Sequence, residues 1–375
     1  MKNFRCACGN TVFYENTLCN SCSRRLGFLP DLGTLAPLEP LEAPGPGGAE
    51  NGGRWRALVP GAASFYRRCR NDTEYQVCNW MVAAGDPNDY CASCRLNSMI
   101  PNLGDPRSLV LWFRVEQAKR WLLYTLQNLG LPIIGKAEDP AGGLAFEFLA
   151  DAGSSEFCDT LDERQRITTG HRRGVITINI AEADPSAREQ MRERMNEQYR
   201  TLLGHFRHES GHYYWDRLVN DTPWLQRFRD VFDDERADYD AALRRYYTWG
   251  PKAGWQQSFI SGYAAAHPWE DWAETWAHYL HITDTLETAW DQGFSVRGRA
   301  VGPQTMPAQW AAPPSRADAA MSFDGMLADW TGLAIGMNAL NRSMGLPDPY
   351  PFVLANPVIE KLRFVYDLIG AARRT

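Results

Sequence analysis

His208-Glu209-Ser210-Gly211-His212, a stretch of the form H-E-x-x-H, organises the interpretation of the whole chain. Residues four apart on a helix lie on the same face, so His208 and His212 can direct two imidazole nitrogens at one metal ion. Glu209 lies one step around the helix, where it can contact a water molecule on that metal without binding the metal. The pattern therefore predicts a zinc centre with two ligands and a general base on one helical turn.

The composition is that of a globular protein. The chain has 375 residues, 44% of them hydrophobic and 12% aromatic, enough for one large domain and a smaller one. A net charge of −6 argues against a general attraction to nucleic acid or to an anionic membrane. No apolar run approaches the length of a membrane span, and the start, residues 1–6, has no apolar signal region. We therefore expect a cytoplasmic protein without a membrane partner.

Eight of the 9 cysteines lie in the first quarter of the chain. In a chain without a secretion signal, clustered cysteine pairs indicate metal sites rather than disulfides. Two short pairs on turns can bring four thiolates to one tetrahedral zinc ion. The sequence predicts a first structural zinc site at Cys6, Cys8, Cys19 and Cys22.

A second, more loosely spaced set predicts another structural zinc site. Its members are Cys69, Cys78, Cys91 and Cys94. The two sets can form two separate sites or interleave in one, so we expect one or two structural zinc ions. The ninth cysteine, Cys158, stands alone and is expected to be a buried apolar residue rather than a nucleophile.

These cysteines define a small β-rich zinc-ribbon domain over residues 1–100. Within it, residues 28–60 are rich in proline and glycine, which predicts an extended, exposed connector. The first 100 residues contain 10 Lys and Arg against 9 Asp and Glu, and a ribbon that grips phosphates should be clearly basic. We therefore favour a structural or protein-docking ribbon over a nucleic-acid-binding one.

The rest of the chain, residues 101–375, is predicted to be mainly helical with a small sheet, an α+β fold. Apolar periodicity predicts helices over 106–129, 228–247, 321–340 and 357–372, strands over 145–149 and 175–180, and a polar helix running from 184 into the motif. A strand just before the metal helix could hold an extended substrate across the metal. The C-terminal helices are interpreted as scaffold.

A catalytic zinc ion needs a third protein ligand and one open position. The next candidate segment is residues 267–281, where Pro268 suits the first turn of a helix. An aromatic stripe at helical spacing there is expected to pack in the core: Trp269, Trp272, Trp276 and Tyr279. The acidic and histidine side chains on another side of this predicted helix could face the metal: Glu270, Glu274, His278 and His281.

An H-E-x-x-H motif followed by Glu270-Asp271-Trp272-Ala273-Glu274 resembles the gluzincin class of zinc metallopeptidases. Together with the cysteine ribbon, the whole chain resembles a family of bacterial zinc-binding metallopeptidases with an N-terminal zinc ribbon. The resemblance implies a zincin-like domain in which Glu270 binds zinc and Glu274 supports a ligand from the next turn. The gap of 57 residues between His212 and Glu270 is long for this class. Glu235, with Asp238 one turn on, is the main rival ligand, and Glu274 is another.

The resulting hypothesis is a peptidase that holds one catalytic zinc ion and acts on a peptide or protein. Glu209 would serve as general base, and Tyr263 or His267 would donate to the carbonyl oxygen, unless His267 only packs or caps beside the zinc ligands. The ribbon could recruit a protein partner. The alternatives are a binding or regulatory protein with a zincin scaffold and no turnover, and a nucleic-acid-binding ribbon with an accessory domain.

Overall fold

Short strands dominate the N-terminal part of the chain. The computed structural model describes residues 2–41, 53–150, 169–195, 201–296, 299–300 and 322–373. Strands β1 (Phe4–Arg5) and β2 (Thr11–Val12) form an antiparallel hairpin. Gly9 takes a φ of 87° in its turn, a left-handed conformation that glycine adopts without strain, and the turn carries the first cysteine pair.

A five-stranded antiparallel sheet follows, with its strands in chain order. Its elements are β3 (Arg25–Leu29), β4 (Thr34–Pro40), β5 (Arg54–Ala57), β6 (Tyr66–Arg68), helix α1 (Arg70–Tyr75) and β7 (Met81–Ala83). The Phe28 N–H donates to the Asn79 carbonyl at 2.7 Å, so β3, at one edge of the sheet, lies close to the start of β7, at the other edge.

The prediction of an exposed connector over residues 28–60 was wrong for the part that the structure describes. Leu35, Leu38 and Trp55 are buried side chains of β4 and β5. Burial of these apolar side chains outweighs the cost of the prolines, and the carbonyl of Pro37 in the interior strand β4 still accepts a hydrogen bond from the Leu58 N–H at 2.9 Å. Residues 42–52 lie outside the described part of the chain.

A second, four-stranded sheet lies beside the helices, in the order β10-β11-β9-β8. Its strands are β8 (Asn97–Met99), β9 (Ala145–Leu149), β10 (Gly170–Arg172) and β11 (Val175–Asn179). Strands β8, β9 and β11 are parallel, and β10 pairs antiparallel to β11 at one edge. The predicted strand over 145–149 is confirmed, and the one over 175–180 is confirmed except for Ile180, which lies in a short 3-10 turn.

The remaining described elements are mostly helices. They are α2 (Pro106–Asn128), α3 (Pro185–Met195), α4 (Leu202–Leu218), α5 (Trp224–Phe232), α6 (Tyr239–Trp249), α7 (Pro268–Asp291), a hairpin of β12 (Ser295–Val296) and β13 (Arg299–Ala300), α8 (Phe323–Ser343) and α9 (Asn356–Ala372). Helix α4 packs most extensively against α7, while α2 lies on α4 and α9 on α7. Within the described residues, no helix combines the length and the apolarity that crossing a bilayer requires. The chain has an α+β fold.

Two predicted helices are interrupted. The helix expected to run from residue 184 through the motif is α3 followed by a separate α4, because the Thr201 hydroxyl caps a new start by accepting from the Gly204 N–H. The helix expected over 228–247 breaks at Asp233, which has a φ of 74°, and restarts where Asp238 caps α6. Local capping groups overrode the apolar periodicity in both places.

The strand-rich part shares one core with the helices. The Tyr14 hydroxyl donates to the Arg120 carbonyl of α2 at 3.0 Å and accepts from the Trp80 indole at 2.9 Å. The rings of Phe28 and Tyr124 pack against Tyr14 at centroid distances of 4.9 and 5.3 Å. Residues of both parts therefore belong to the same hydrophobic cluster.

Candidate metal centre

Helix α4 presents both histidines of the motif on one face. They are one helical turn apart, and their ring centroids are 4.9 Å apart. The His212 side chain is buried, and the His208 side chain is 12% exposed. The pair therefore forms one wall of an enclosed polar site.

Helix α7 supplies the third group. His267 caps it by accepting a hydrogen bond from the Trp269 N–H on Nδ1 at 3.1 Å, and Pro268 takes the first helical position. Glu270 follows in the first turn, with its side chain only 1% exposed. A carboxylate at the start of a helix is favoured there by the helix dipole.

Close packing of α4 on α7 sets how far the histidines lie from Glu270. A Cβ on Gly211 would lie 3.0 Å from the Ala273 Cα and 3.2 Å from the Trp276 Cβ, so only glycine allows this approach. The Trp272 indole donates to the Gly211 carbonyl at 2.8 Å, and the Trp276 indole donates to the Ser210 hydroxyl at 3.1 Å. Trp272 and Trp276 of α7 thus donate hydrogen bonds to the two middle residues of the motif.

Gly211→Ala is expected to push α4 away from α7. Overpacking of this kind costs about 1–3 kcal/mol, and a shift of the helix would also move His212 away from Glu270. We expect a lower midpoint of thermal unfolding together with weaker zinc binding, measured by calorimetry and by metal titration.

Gly336→Ala is the matched control for this prediction. Gly336 lies inside α8, and a Cβ there would meet no atom within 4 Å. Alanine is about 1 kcal/mol better than glycine inside a helix, so this variant should be slightly more stable and bind zinc normally. Normal zinc binding by a stable Gly211→Ala protein would show that the close approach does not set the metal geometry.

The ligand atoms of the three predicted residues meet at one point. Glu270 Oε2 lies 3.0 Å from His208 Nε2 and 3.6 Å from His212 Nε2. Ligand atoms about 2.0–2.1 Å from a tetrahedral zinc ion are about 3.3–3.4 Å from one another, which these distances bracket. All three atoms belong to one group of possible metal ligands.

The contacts among these three residues leave one buried ligand atom without a hydrogen-bond partner, and a metal ion would satisfy it. Glu270 Oε2 is buried and, among the described residues, has no hydrogen-bond partner, although two ring nitrogens lie close to it. A buried carboxylate oxygen without a partner costs free energy unless a cation or a donor faces it. A divalent ion between the three atoms would satisfy them together.

The second ring nitrogen of His208 faces another carboxylate. His208 Nδ1 lies 2.7 Å from Glu274 Oε1, and the Ser261 hydroxyl donates to Glu274 Oε2 at 2.6 Å. Burial lowers the pKa of His208, but the carboxylates of Glu270 and Glu274 beside its two ring nitrogens outweigh burial and raise the pKa well above the ordinary value. Burial likewise raises the pKa of Glu270, and the two imidazoles reverse this and hold it well below its usual range. The cluster therefore favours positive charge at its centre.

Glu209 is buried beside these groups. Burial raises its pKa, and the charges of His208 and His212, when protonated, oppose that rise. A carboxyl with a raised pKa is better matched to proton transfer near neutral pH than an ordinary glutamate. Its atoms do not belong to the group of three converging ligand atoms.

Two tyrosines and His267 surround the site. The Tyr263 ring lies 5.9 Å from the His208 ring and 5.4 Å from the Tyr246 ring. Both ring nitrogens of His267 are engaged, since Nδ1 caps α7 and Nε2 lies 3.0 Å from the Ala237 carbonyl. The hydroxyl of Tyr239, a residue that the sequence analysis missed, donates to Glu270 Oε1 at 2.6 Å.

The rival ligands Glu235 and Asp238 make other contacts. Arg229 pairs with Glu235, its Nε donating at 3.0 Å, and Asp238 caps α6 by accepting from the Ala241 N–H. On α7, His278 Nδ1 bonds the Tyr350 hydroxyl at 2.9 Å rather than facing the metal site. The His281 ring packs against Tyr350 and Trp330.

The eight cysteines within the described residues form two separate clusters. In the first, Cys6 Sγ lies 3.5 Å from Cys22 Sγ, and Cys8 Sγ lies 3.7 Å from Cys19 Sγ. Sulfur atoms about 2.3 Å from a tetrahedral zinc ion are about 3.8 Å apart, so the spacing suits zinc. The second cluster holds Cys69, Cys78, Cys91 and Cys94, and the Cys78 and Cys91 sulfurs are 3.7 Å apart. Cys158 lies outside the described residues.

The two clusters differ in exposure and surroundings. Cys8 is exposed and Cys22 half-buried, whereas all four cysteines of the second cluster are buried. Cys94 Sγ lies 4.0 Å from Glu116 of α2, which pairs with the fully buried Lys119 at 2.9 Å. A zinc ion with four thiolates carries a net charge of −2, so the Lys119 ammonium suits its surroundings.

Tyr239 could not be found from the sequence. It follows the capping Asp238 and lies 31 residues before Glu270, with no periodic relation between the two. Ser261, which bonds Glu274, carries no signal either. Both contacts depend on how α6 and the following turns pack on α7.

Known proteins match both parts of the chain. The model of a family described as "Putative zinc-binding metallo-peptidase" matches residues 108–368, and that of a zinc-ribbon domain matches residues 3–105. An uncharacterized protein of Mycobacterium bovis and uncharacterized proteins of two Mycobacterium tuberculosis strains are each 40% identical over 376 residues, covering 98% of this chain and 95% of their own. No solved structure matches significantly.

Proposed function

Because the chain belongs to the family described as putative zinc-binding metallo-peptidases, we propose that it is a zinc-dependent enzyme that hydrolyses peptide bonds. The convergence of His208 Nε2, His212 Nε2 and the unpartnered Glu270 Oε2 carries the proposal. A metal helix beside a small sheet supports a zincin-like fold of the gluzincin type for residues 101–375, with residues 1–100 as the ribbon.

His208, His212 and Glu270 would hold the zinc ion, leaving the open position that catalysis needs. When bound, zinc lowers the pKa of its water ligand toward about 7 and polarises the substrate carbonyl. Glu209 takes the proton of the attacking water and then delivers it to the leaving amine. Its burial beside the histidines supports this role.

Tyr263 is proposed to donate to the carbonyl oxygen as negative charge develops on it. Its ring lies 5.9 Å from the His208 ring, beside the proposed zinc ligands. His267 is a poorer candidate because helix capping and the Ala237 carbonyl use both of its nitrogens. We propose Glu274 as the group that orients His208 through Nδ1.

The substrate is proposed to pair with β10 rather than with the predicted strand over 175–180. Strand β11 is paired on both sides, whereas β10 has a partner on one side only within the described residues. The ring of His171, in β10, lies 6.4 Å from the His212 ring. An extended peptide added at this edge would pass beside the metal site.

Metal counting tests the proposed composition of three zinc ions, one catalytic and two in the ribbon. A chelator should first remove the catalytic ion, which has three protein ligands, and should leave the two four-cysteine sites loaded. Of those two, the exposed first cluster should exchange before the buried second cluster. Mass spectrometry of the native protein during chelation measures this order, and a chelation-resistant third ion would contradict it.

A mixed peptide library provides the test of function. The fully loaded protein should cleave some members, and removal of only the labile zinc should stop cleavage, with recovery on adding zinc back. A protein that binds its third zinc ion but cleaves no member of a broad library would favour the non-catalytic alternative. The ribbon could then serve to recruit a protein partner, a role we also propose for it in the enzyme.

A further inference from the structure

We propose that Tyr239 is a positioning residue that holds the Glu270 carboxylate so that only one of its oxygens can face the metal. The inference rests on the proposed metal centre. It concerns the residue that shapes this centre from α6, an element that contributes no ligand to it.

The two oxygens of Glu270 have different environments. Oε1 accepts from the Tyr239 hydroxyl at 2.6 Å, a distance typical of a strong hydrogen bond to a charged acceptor. Oε2 has no hydrogen-bond partner within the described residues and faces the two histidine Nε2 atoms. The hydroxyl therefore engages one oxygen and directs the other toward the ligand point.

This division matters because a glutamate can bind a metal through one oxygen or through both. Two-oxygen binding would fill the position that a catalytic zinc ion keeps open for water and substrate. A hydrogen bond on Oε1 competes with a metal for that oxygen. Groups that bond a ligand in this way typically change metal affinity by about 10–100-fold when they are removed.

The position of Tyr239 is set by two adjacent helix starts. Asp238 caps α6 by accepting from the Ala241 N–H at 2.9 Å, which places Tyr239 in the first turn. His267 caps α7, and its Nε2 donates to the Ala237 carbonyl at 3.0 Å, which ties the two starts together. The Tyr239 ring packs edge-on against the His267 ring at a centroid distance of 5.1 Å.

The second tyrosine at the site, Tyr263, has different surroundings from Tyr239. Glu270 Oε1 accepts from the Tyr239 hydroxyl, whereas the Tyr263 ring lies beside the His208 ring at a centroid distance of 5.9 Å. The two phenols therefore have separate tasks, one on the ligand and one on the reacting carbonyl.

Tyr239→Phe in the full chain tests the inference by metal binding. We expect 10–100-fold weaker zinc binding at the labile site, measured by chelator competition, with both four-cysteine sites still loaded. With Co²⁺ in the labile site, the visible absorption should weaken, because two-oxygen binding by Glu270 raises the coordination number. Tyr366→Phe, on α9 with its ring packed against Phe323, is the matched control and should change neither quantity.

Tyr239→Gln separates hydrogen bonding from packing, since its amide can also donate to Oε1. Affinity in the glutamine variant above that of the phenylalanine variant supports the inference, and equal losses in both would overturn it. So would zinc affinity within twofold of the wild type and an unchanged Co²⁺ spectrum in Tyr239→Phe. Absence of a labile metal from the wild-type protein would instead reject the proposed metal centre itself.

Discussion

Glu209→Gln is expected to abolish peptide hydrolysis while leaving zinc bound. The amide has the size of the carboxylate but cannot take a proton from water, and general-base catalysis contributes roughly 10²–10⁴-fold. We expect kcat to fall by about 10³-fold or more. Zinc should remain because Glu209 is not one of the three residues whose ligand atoms converge. Steady-state kinetics on a cleaved library peptide, with metal analysis of the same sample, provides the measurement.

Glu360→Gln is the control for a generic loss of one negative charge. Glu360 is exposed on α9, away from the metal site, and its replacement should leave kcat and zinc content unchanged. A Glu209→Gln protein that keeps its zinc and cleaves at the wild-type rate would exclude Glu209 as the base.

Glu270→Gln is expected to remove the labile zinc ion and, with it, the activity. The change takes one negative charge from between two imidazoles and leaves only two strong ligands. The affinity should therefore fall by more than the roughly 10–100-fold that loss of a supporting group causes. Zinc content after mild dialysis should drop from three ions to two, and kcat should fall with it.

Glu235→Gln provides the sharpest comparison, because Glu235 is the rival that the sequence left open. It pairs with Arg229, so its replacement should lower stability slightly and leave zinc content and kcat unchanged. The opposite pattern, with zinc lost from Glu235→Gln and retained in Glu270→Gln, would contradict the assignment of the third ligand.

The local part of the site could be predicted from the sequence, and the long-range part could not. One helical turn relates His208 to His212, so the motif alone indicates that they are neighbours. Glu270 lies on another helix, and only the resemblance to a family singled it out over Glu235. Tyr239 was missed because its contact with Glu270 depends on the packing of α6, which no periodic pattern records.

Errors in the fold arose where local composition and tertiary packing disagree. Proline and glycine predicted an exposed connector over residues 28–60, but the apolar side chains between them are buried in the five-stranded sheet. Periodicity predicted a continuous helix into the motif, but the Thr201 hydroxyl starts a new one. The cysteine sets could not be assigned to separate sites by spacing alone, since that depends on how the strands pair.

Strand β8, which follows Cys94, has a consequence for any attempt to isolate residues 101–375 alone. Strand β8 covers one edge of β9, whose Phe146 and Phe148 side chains are fully buried. A fragment starting at residue 101 would leave that edge bare, and bare apolar edges recruit other chains into aggregates. The cysteine-rich segment, residues 1–100, therefore protects this edge of the sheet, so truncation is a poor route to a minimal protein that keeps the metal centre.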